Sequence, residues 1–166
     1  MSIAHFLQWL HDTQFSIYMR ESLWAEPIVE TMHVLTLTLF IGFSVMLDMR
    51  LLGVAWRQKP ASTVLKQLNP WLGVGFVILV TTGVLLFIGD PVRFYATFFF
   101  KAKMIMVVLA GLNVLVFNKT VRTRVAEWDL SPQTPRGAKI AAIAGLVLWA
   151  LIVAFGRAIA YALPPP

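Results

Sequence analysis

The stretch EPIVETMHVLTLTLFIGFSVMLDMRLLG, residues 26–53, decides the class of this protein. Its central part is apolar over about twenty positions, the length that an α-helix needs to cross a hydrocarbon core of about 30 Å. Two polar residues, Glu30 and His33, nevertheless lie one helical turn apart near its start. The stretch therefore predicts a transmembrane helix and raises the question of what this pair does there.

Three further stretches have the same apolar character, so that we predict spans over about residues 28–49, 70–89, 98–118 and 138–161. The composition agrees, since 58% of the 166 residues are hydrophobic, 13% are charged and the mean hydropathy is +0.75. The predicted fold class is an all-α integral membrane protein with a four-transmembrane-helix bundle over residues 21–166. The sequence holds no cysteine, which excludes disulfides, iron–sulfur clusters and covalent haem attachment within it.

Residues 1–20 are predicted to form an amphipathic helix that lies at the membrane interface. Apolar residues recur there at helical spacing, and Ser2 can cap the first turn. Polar residues such as Gln8 and Asp12 make the segment too polar to span. It also lacks the basic start and uninterrupted apolar core of a secretory signal, so we expect it to belong to the mature fold.

The basic residues predict the orientation of the bundle. The connection between the first and second spans and the connection between the third and fourth spans lie on the same side of the membrane. Because both are rich in basic residues, the positive-inside rule assigns this side to the cytoplasm. Both termini then face outward, so we predict an N-out, C-out protein of the bacterial inner membrane, with the lipid bilayer as its partner. This sorting accounts for the net charge of +6 without a nucleic-acid partner. Nine of the fourteen basic residues lie in or beside these connections: Arg50, Arg57, Lys59, Lys66, Lys119, Arg122, Arg124, Arg136 and Lys139.

Three spans carry an ionisable residue at a similar predicted depth. His33 lies about 7.5 Å down the first span, Lys103 about 7.5 Å down the third, and Arg157 about 6 Å from the outer end of the fourth, at 1.5 Å per residue. Such groups cost roughly 2.5–3.5 kcal/mol each at a helix centre, so they usually face the bundle interior and a partner. We therefore predict one polar site in the outer leaflet, with Glu30 a turn above His33.

Helical spacing predicts that these groups point into the bundle together with apolar and small residues. Small residues let helices approach closely or leave room for a flat ligand. On the second span, the glycines at positions 73, 75 and 83 favour a helix-packed homodimer. The predicted inward stripes are His33, Thr36, Phe40 and Ser44; Lys103, Met106, Ala110, Asn113 and Phe117; and Gly145, Trp149, Ile152 and Gly156.

The leading hypothesis from these residues is a haem b-binding membrane protein that transfers electrons. Imidazole in a helical bundle is a common axial ligand of haem b, and the propionates favour a Lys or Arg near the aqueous boundary. We assign His33 as axial ligand, Lys103 and Arg157 to the propionates or the distal face, and Glu30 to orienting the His33 ring. The second axial position stays open among Lys103, Met104, Met106, a folded-in His11 and no ligand at all.

Two other interpretations stay open. A copper-handling protein would use Met32, His33, Met104 and Met106 as soft ligands, with copper replacing haem as the cofactor. In a purely structural subunit, the cations would reach the lipid headgroups and His33 would form an interhelical hydrogen bond. The exposed loops carry no motif that identifies a redox partner.

The chain also resembles a known family along residues 21–161. The first span and its approach read ESLW…VE..H, then G and D.RLLG, the second PW…GF…TG..LF, the third F..K…N..VF, and the fourth LW…V..GR.IAY. These motifs resemble a widespread bacterial family of uncharacterised four-helix membrane proteins, the DUF6644-like family. More distantly, the chain is similar to the CopD-like superfamily, which includes the copper-resistance membrane domain and the HemJ-type protoporphyrinogen IX oxidases.

This distant resemblance implies a haem site. HemJ-type proteins have an essential His in a setting like MHVLTLTLFIG and an essential Lys in a setting like FKAKMIMVVLAGLN, which correspond to His33 and Lys103 here, with Lys101 as the fallback. Asn113 stands near a position where those proteins carry a further His. The resemblance therefore implies haem b binding by His33 and Lys103 more strongly than a porphyrinogen oxidoreductase activity.

Overall fold

The computed structural model of the protein describes residues 2–129 and 134–162, which form helices and the connections between them, without a strand. The C-terminal tail, residues 163–166, lies outside the described residues. A 3₁₀ turn spans Arg122–Arg124. The helices are α1 Ile3–His11, α2 Gln14–Glu21, α3 Ala25–Leu52, α4 Ala61–Gly89, α5 Pro91–Ala96, α6 Phe98–Thr120, α7 Val125–Trp128 and α8 Arg136–Ala162.

Four of these helices, α3, α4, α6 with its continuation to Trp128, and α8, are long and apolar enough to cross a membrane. The predicted four-helix membrane bundle is confirmed at this level. The largest difference is at α4, which begins at Ala61 rather than near residue 70 and contains Pro70. The extra turns form because Val64, Leu65 and Leu68 bury one face of the helix against the core.

Two segments differ from their predicted form. The N-terminal segment consists of two helices, because Thr13 interrupts the first and caps the second by accepting a hydrogen bond from Ser16 N at 3.3 Å. The segment GDPVRFY, which joins the second and third predicted spans, contains the short helix α5. Asp90 caps α5 by accepting from Arg93 N at 3.2 Å, and Pro91 occupies its first position.

Helix α3 is the centre of the bundle, because it packs against both α4 and α8, while α6 packs against α8. The order around the bundle is therefore α4, α3, α8, α6, and α4 and α6 make little close backbone contact in the described part of the chain. Side chains bridge them at one end, where the rings of Phe87 and Phe100 stack with centroids 5.2 Å apart. Helix α1 packs against α5, and α2 packs against α4.

The predicted inward stripes are confirmed. Phe40, Ala110, Phe117, Gly145 and Ile152 are buried, and the other members of the three stripes are half-buried. Close packing continues at the end of the bundle where α3 ends. The buried cluster at this end consists of Leu51, Ala61, Leu65, Phe117, Trp128, Ala138 and Ala142.

Asp129 links the connection after α6 to the first turn of α4 by hydrogen bonds. Its carboxylate accepts hydrogen bonds from Ser62 N at 2.8 Å and from Ser62 Oγ at 2.5 Å. Burial acts to raise the pKa of Asp129, but the hydrogen bonds from Ser62 and the Ala61 backbone outweigh it, so that the pKa lies below its usual value. Asp129 thus serves as the cap that α4 lacks at Pro60.

We predict that Asp129→Ala lowers the free energy of unfolding by about 1 kcal/mol at neutral pH, because the first turn of α4 loses its acceptor. The folded-state pKa is depressed, so this contribution is complete above the ordinary aspartate pKa of about 3.9 and is lost as the pH falls through the folded-state value. Denaturant unfolding in detergent at neutral and acid pH measures both effects. Glu127→Ala, at an exposed position two residues away, is the matched control. A difference between wild type and Asp129→Ala that persists unchanged in acid would contradict this role.

Candidate functional site

All four spanning helices contribute to one polar site at the level of His33. His33 projects from α3 toward Thr82 and Gly83 of α4, and Lys103 projects from α6 toward Gly156 of α8. Lys103 is close enough to His33 for its charge to act on the imidazole. The structure thus brings together the two residues that the sequence places at equal depth.

The hydrogen bonds of Thr82 determine which nitrogen of His33 is available. Thr82 is only 5% exposed, and its Oγ1 donates its single proton to Ile78 O at 2.7 Å. Oγ1 also lies 2.8 Å from His33 Nδ1, and with the Thr82 proton on Ile78 O we assign the imidazole proton to Nδ1. The other ring nitrogen, Nε2, then has a free lone pair and makes no hydrogen bond with the described residues. A neutral imidazole held in this way is suited to bind a metal.

Two glycines leave space beside the site. A Cβ atom placed on Gly83 would lie 3.4 Å from His33 Cε1, and one placed on Gly156 would lie 3.4 Å from Lys103 Nζ. Both distances are ordinary van der Waals contacts, so the imidazole and the amine lie against these glycines and occupy the space beside them. The backbones of α4 and α6 make little close contact in the described ranges, and the stacked rings of Phe87 and Phe100 bridge the two helices about one turn from Gly83 and Lys103.

Lys101 and Lys103, two residues apart on α6, lie in different surroundings. Lys101 is exposed, and its Nζ lies 4.6 Å from the centroid of the Tyr95 ring. Lys103 is half-buried against Gly156. The geometry therefore selects Lys103 as the lysine of the site.

Other predicted site residues lie outside this group. Glu30 is exposed, and the His33 ring nitrogen that Glu30 was expected to hold is bonded to Thr82 instead. Arg157 is exposed too, and it donates from Nη2 to the Tyr161 hydroxyl at 2.9 Å. Asn113 donates from Nδ2 to Ala141 O at 2.9 Å and so joins α6 to α8. These contacts give Asn113 a packing role and leave Arg157 directed to the surface.

The methionines proposed as copper ligands do not gather around His33. Met32 is 50% exposed and Met104 is 44% exposed, and only Met106 faces partly inward. His11, proposed as a folded-in ligand, contacts Asp12 on its own segment, with Nδ1 3.1 Å from Oδ1. Within the described ranges, no group of three or more His, Cys, Asp or Glu side chains could hold a metal ion.

Two buried polar residues, Thr82 and Asp48, are not predicted as site residues from the sequence. Thr82 has a signal in the sequence, because the pair Thr81–Thr82 stands in an otherwise apolar span. Helical geometry directs the two hydroxyls to different faces of α4. Thr81 is exposed and donates a hydrogen bond to Val77 O of the same helix, whereas Thr82 faces His33. Asp48 lies in the D.RLLG motif, where its position near the end of the predicted span is typical of a boundary charge. In the structure it is buried.

We predict that Thr82→Val removes the preference of His33 for the tautomer protonated at Nδ1, whereas Thr81→Val leaves it unchanged. Nitrogen NMR of the imidazole distinguishes a protonated from an unprotonated Nδ1. His5 and His11 are replaced by Gln in all variants, so that only His33 contributes to the spectrum. An Nε2-protonated ring in the Thr82 protein would contradict the assignment.

Comparison with known proteins identifies a family. The family described as a family of unknown function (DUF6644) matches residues 5–162. No curated protein and no solved structure matches. The chain, with its four apolar helices, therefore belongs to the DUF6644 family.

Proposed function

We propose that this protein binds haem b within the membrane and transfers electrons, with His33 Nε2 as an axial ligand of the iron. The observation that carries the proposal is the hydrogen bond from His33 Nδ1 to Thr82, because it fixes the ring and leaves the Nε2 lone pair free. Haem b, when bound, supplies one-electron redox chemistry.

The surroundings of His33 fit a flat apolar cofactor. His33 lies against Gly83 and Lys103 lies against Gly156, so that no bulky side chain separates either polar group from the neighbouring helix. The cofactor would lie between α4 and α6, whose backbones make little close contact in the described part of the chain. Lys103 contributes a positive charge that can pair with a propionate, or an amine that can occupy the second axial position.

Two contacts support a revision of the predicted roles in this proposal. Thr82 takes the place of Glu30 as the residue that orients the imidazole, since Thr82 holds the ring nitrogen and Glu30 is exposed. Lys103 is the cation of the site, while the Arg157 guanidinium is engaged with Tyr161 near the end of α8. The proposal therefore depends on His33, Thr82 and Lys103.

We predict that the protein purified from a haem-producing host has a Soret absorption band, which His33→Ala abolishes. Thr82→Val should weaken haem affinity roughly 10- to 100-fold, because the ring loses its orienting partner. Lys103→Met should shift the band or lower haem occupancy, and Lys101→Met should not.

A colourless protein that contains one copper per chain would contradict the haem proposal and support the copper-handling interpretation. A protein with neither pigment nor copper would support the interpretation of a purely structural membrane subunit. A Soret band that survives in His33→Ala would contradict the assignment of the ligand.

We further propose that the N-terminal helices lie on the outer face of an inner-membrane protein. On α1 and α2, large apolar residues are exposed rather than packed on the bundle, which supports contact with lipid at the interface. The basic connection after α3 would then face the cytoplasm. A homodimer stays a prediction: Gly75 and Gly83 face α3 of the same chain, and a Cβ atom placed on Gly73 would meet no atom of another described element within 4 Å.

Orientation can be measured cleanly because the sequence contains no cysteine. We predict that a membrane-impermeant thiol reagent labels His5→Cys in spheroplasts, whereas Gln58→Cys reacts only after the membrane is permeabilised. Both positions are exposed, so accessibility depends on the side of the membrane alone. The reverse pattern would contradict the proposed orientation.

A further inference from the structure

Asp48 is a buried acidic residue that the haem proposal does not use. It lies on the inward face of α3, is 8% exposed, and its Oδ2 has no hydrogen-bond partner. A Cβ atom placed on Gly145 of α8 would lie only 3.0 Å from Oδ2. The carboxyl group is thus enclosed between α3 and α8, at a place where only a glycine leaves room for it.

No positive charge pairs with Asp48 in the described part of the chain. Arg50, buried two residues away, donates from Nε to Lys59 O at 2.8 Å, and Arg57 is exposed and donates to Gly53 O. On the helices packed against α3 here, the nearby lysines, Lys66 of α4 and Lys139 of α8, are exposed.

An ionised carboxylate without a partner is costly in such surroundings. The penalty for burying an unpaired charge is several kcal/mol even after the protein relaxes, and a carboxyl group avoids it by binding a proton. The neutral acid also has an O–H group that can donate a hydrogen bond, which the carboxylate lacks. The burial and the missing partner therefore favour a protonated Asp48.

The position of Asp48 determines from which end water can reach it. It lies four residues before the end of α3 at Leu52, about 6 Å along the axis. A cavity of about 140 Å³ opens at this end between α3 and α8, lined by Leu52, Gly53, Arg57, Thr134 and Lys139. It has room for a few water molecules.

The opposite direction is closed by packing. His33 is fifteen residues away on the same helix, about 22 Å along the axis. Phe40 and Trp149 lie between the two sites, with their rings edge-to-face and their centroids 4.9 Å apart. The Leu52 end of α3, about 6 Å away, is therefore the shorter route from water to Asp48.

We propose that Asp48 is a proton-exchange site, whose carboxyl group carries a proton in the resting protein and exchanges it with water at the Leu52 end of α3. In each exchange the carboxyl O–H proton passes to a water molecule and a proton from water takes its place, so that the group returns to its neutral form. This site is separate from the haem site, and the inference does not depend on haem binding.

Infrared difference spectroscopy of wild type against Asp48→Asn tests the proposal directly, because a protonated carboxyl group has a C=O stretching band above the amide region. We expect this band at neutral pH in wild type, a shift of the band in D₂O, and its loss in Asp48→Asn. His33→Ala should keep the band, which separates this result from the outcome for haem. A missing band would show that Asp48 is ionised, and a band that does not shift in D₂O would show that it does not exchange. Either result would overturn the proposal.

A second variant tests the surroundings of Asp48. Gly145→Ala should shift the frequency of the band, because the added methyl group presses on Oδ2. Gly42→Ala on α3, where a Cβ meets nothing within 4 Å, is the matched control. An unchanged band in Gly145→Ala would overturn the placement of the carboxyl group against α8.

Discussion

The hydrogen bond between His33 and Thr82 connects α3 to α4 and determines the chemistry of the site. In a membrane, an imidazole without a partner would be costly, and the buried hydroxyl of Thr82 satisfies one of its nitrogens. Because the Thr82 proton is already donated to Ile78 O, the hydroxyl can only accept from His33. A single side chain thereby selects the tautomer, sets the ring orientation and leaves the other nitrogen for a ligand.

The rest of the bundle supports this arrangement. Helix α3 packs between α4 and α8, so its inward face contacts both neighbours along its length. Gly83 allows His33 to approach α4, Gly75 accommodates Phe40, and Gly145 accommodates Asp48. The Phe40–Trp149 pair fills the middle of the bundle and separates the two polar regions. Helix α3 thus carries one polar residue toward each end of the bundle, with aromatic packing between them.

Much of this architecture can be predicted from the sequence. The spans follow from apolar length, and the inward stripes follow from the 3.6-residue period, because both depend on local sequence. The equal depth of His33 and Lys103 also follows, since the rise per residue is fixed. For Arg157, depth along the helix alone does not predict whether the side chain faces the site. It follows Gly156, which faces Lys103, and a rotation of about 100° per residue turns Arg157 away from the site.

The residues that the sequence argument misses are those whose roles depend on packing between helices. Thr82 differs from Thr81 only in the face it occupies, and that face is set by where α4 meets α3. Asp48 near the end of a span is typical of a boundary residue, and only its contact with Gly145 shows that it is enclosed. The N-terminal segment divides into two helices because Thr13 caps the second one.

The central claim, that His33 Nε2 is an axial ligand, is tested most directly by electron–nuclear double resonance on the ferric protein labelled with ¹⁵N-histidine. With His5 and His11 replaced by Gln, the account predicts hyperfine coupling of the iron to one histidine nitrogen, from His33. A ferric haem signal without histidine coupling in this protein would contradict the account.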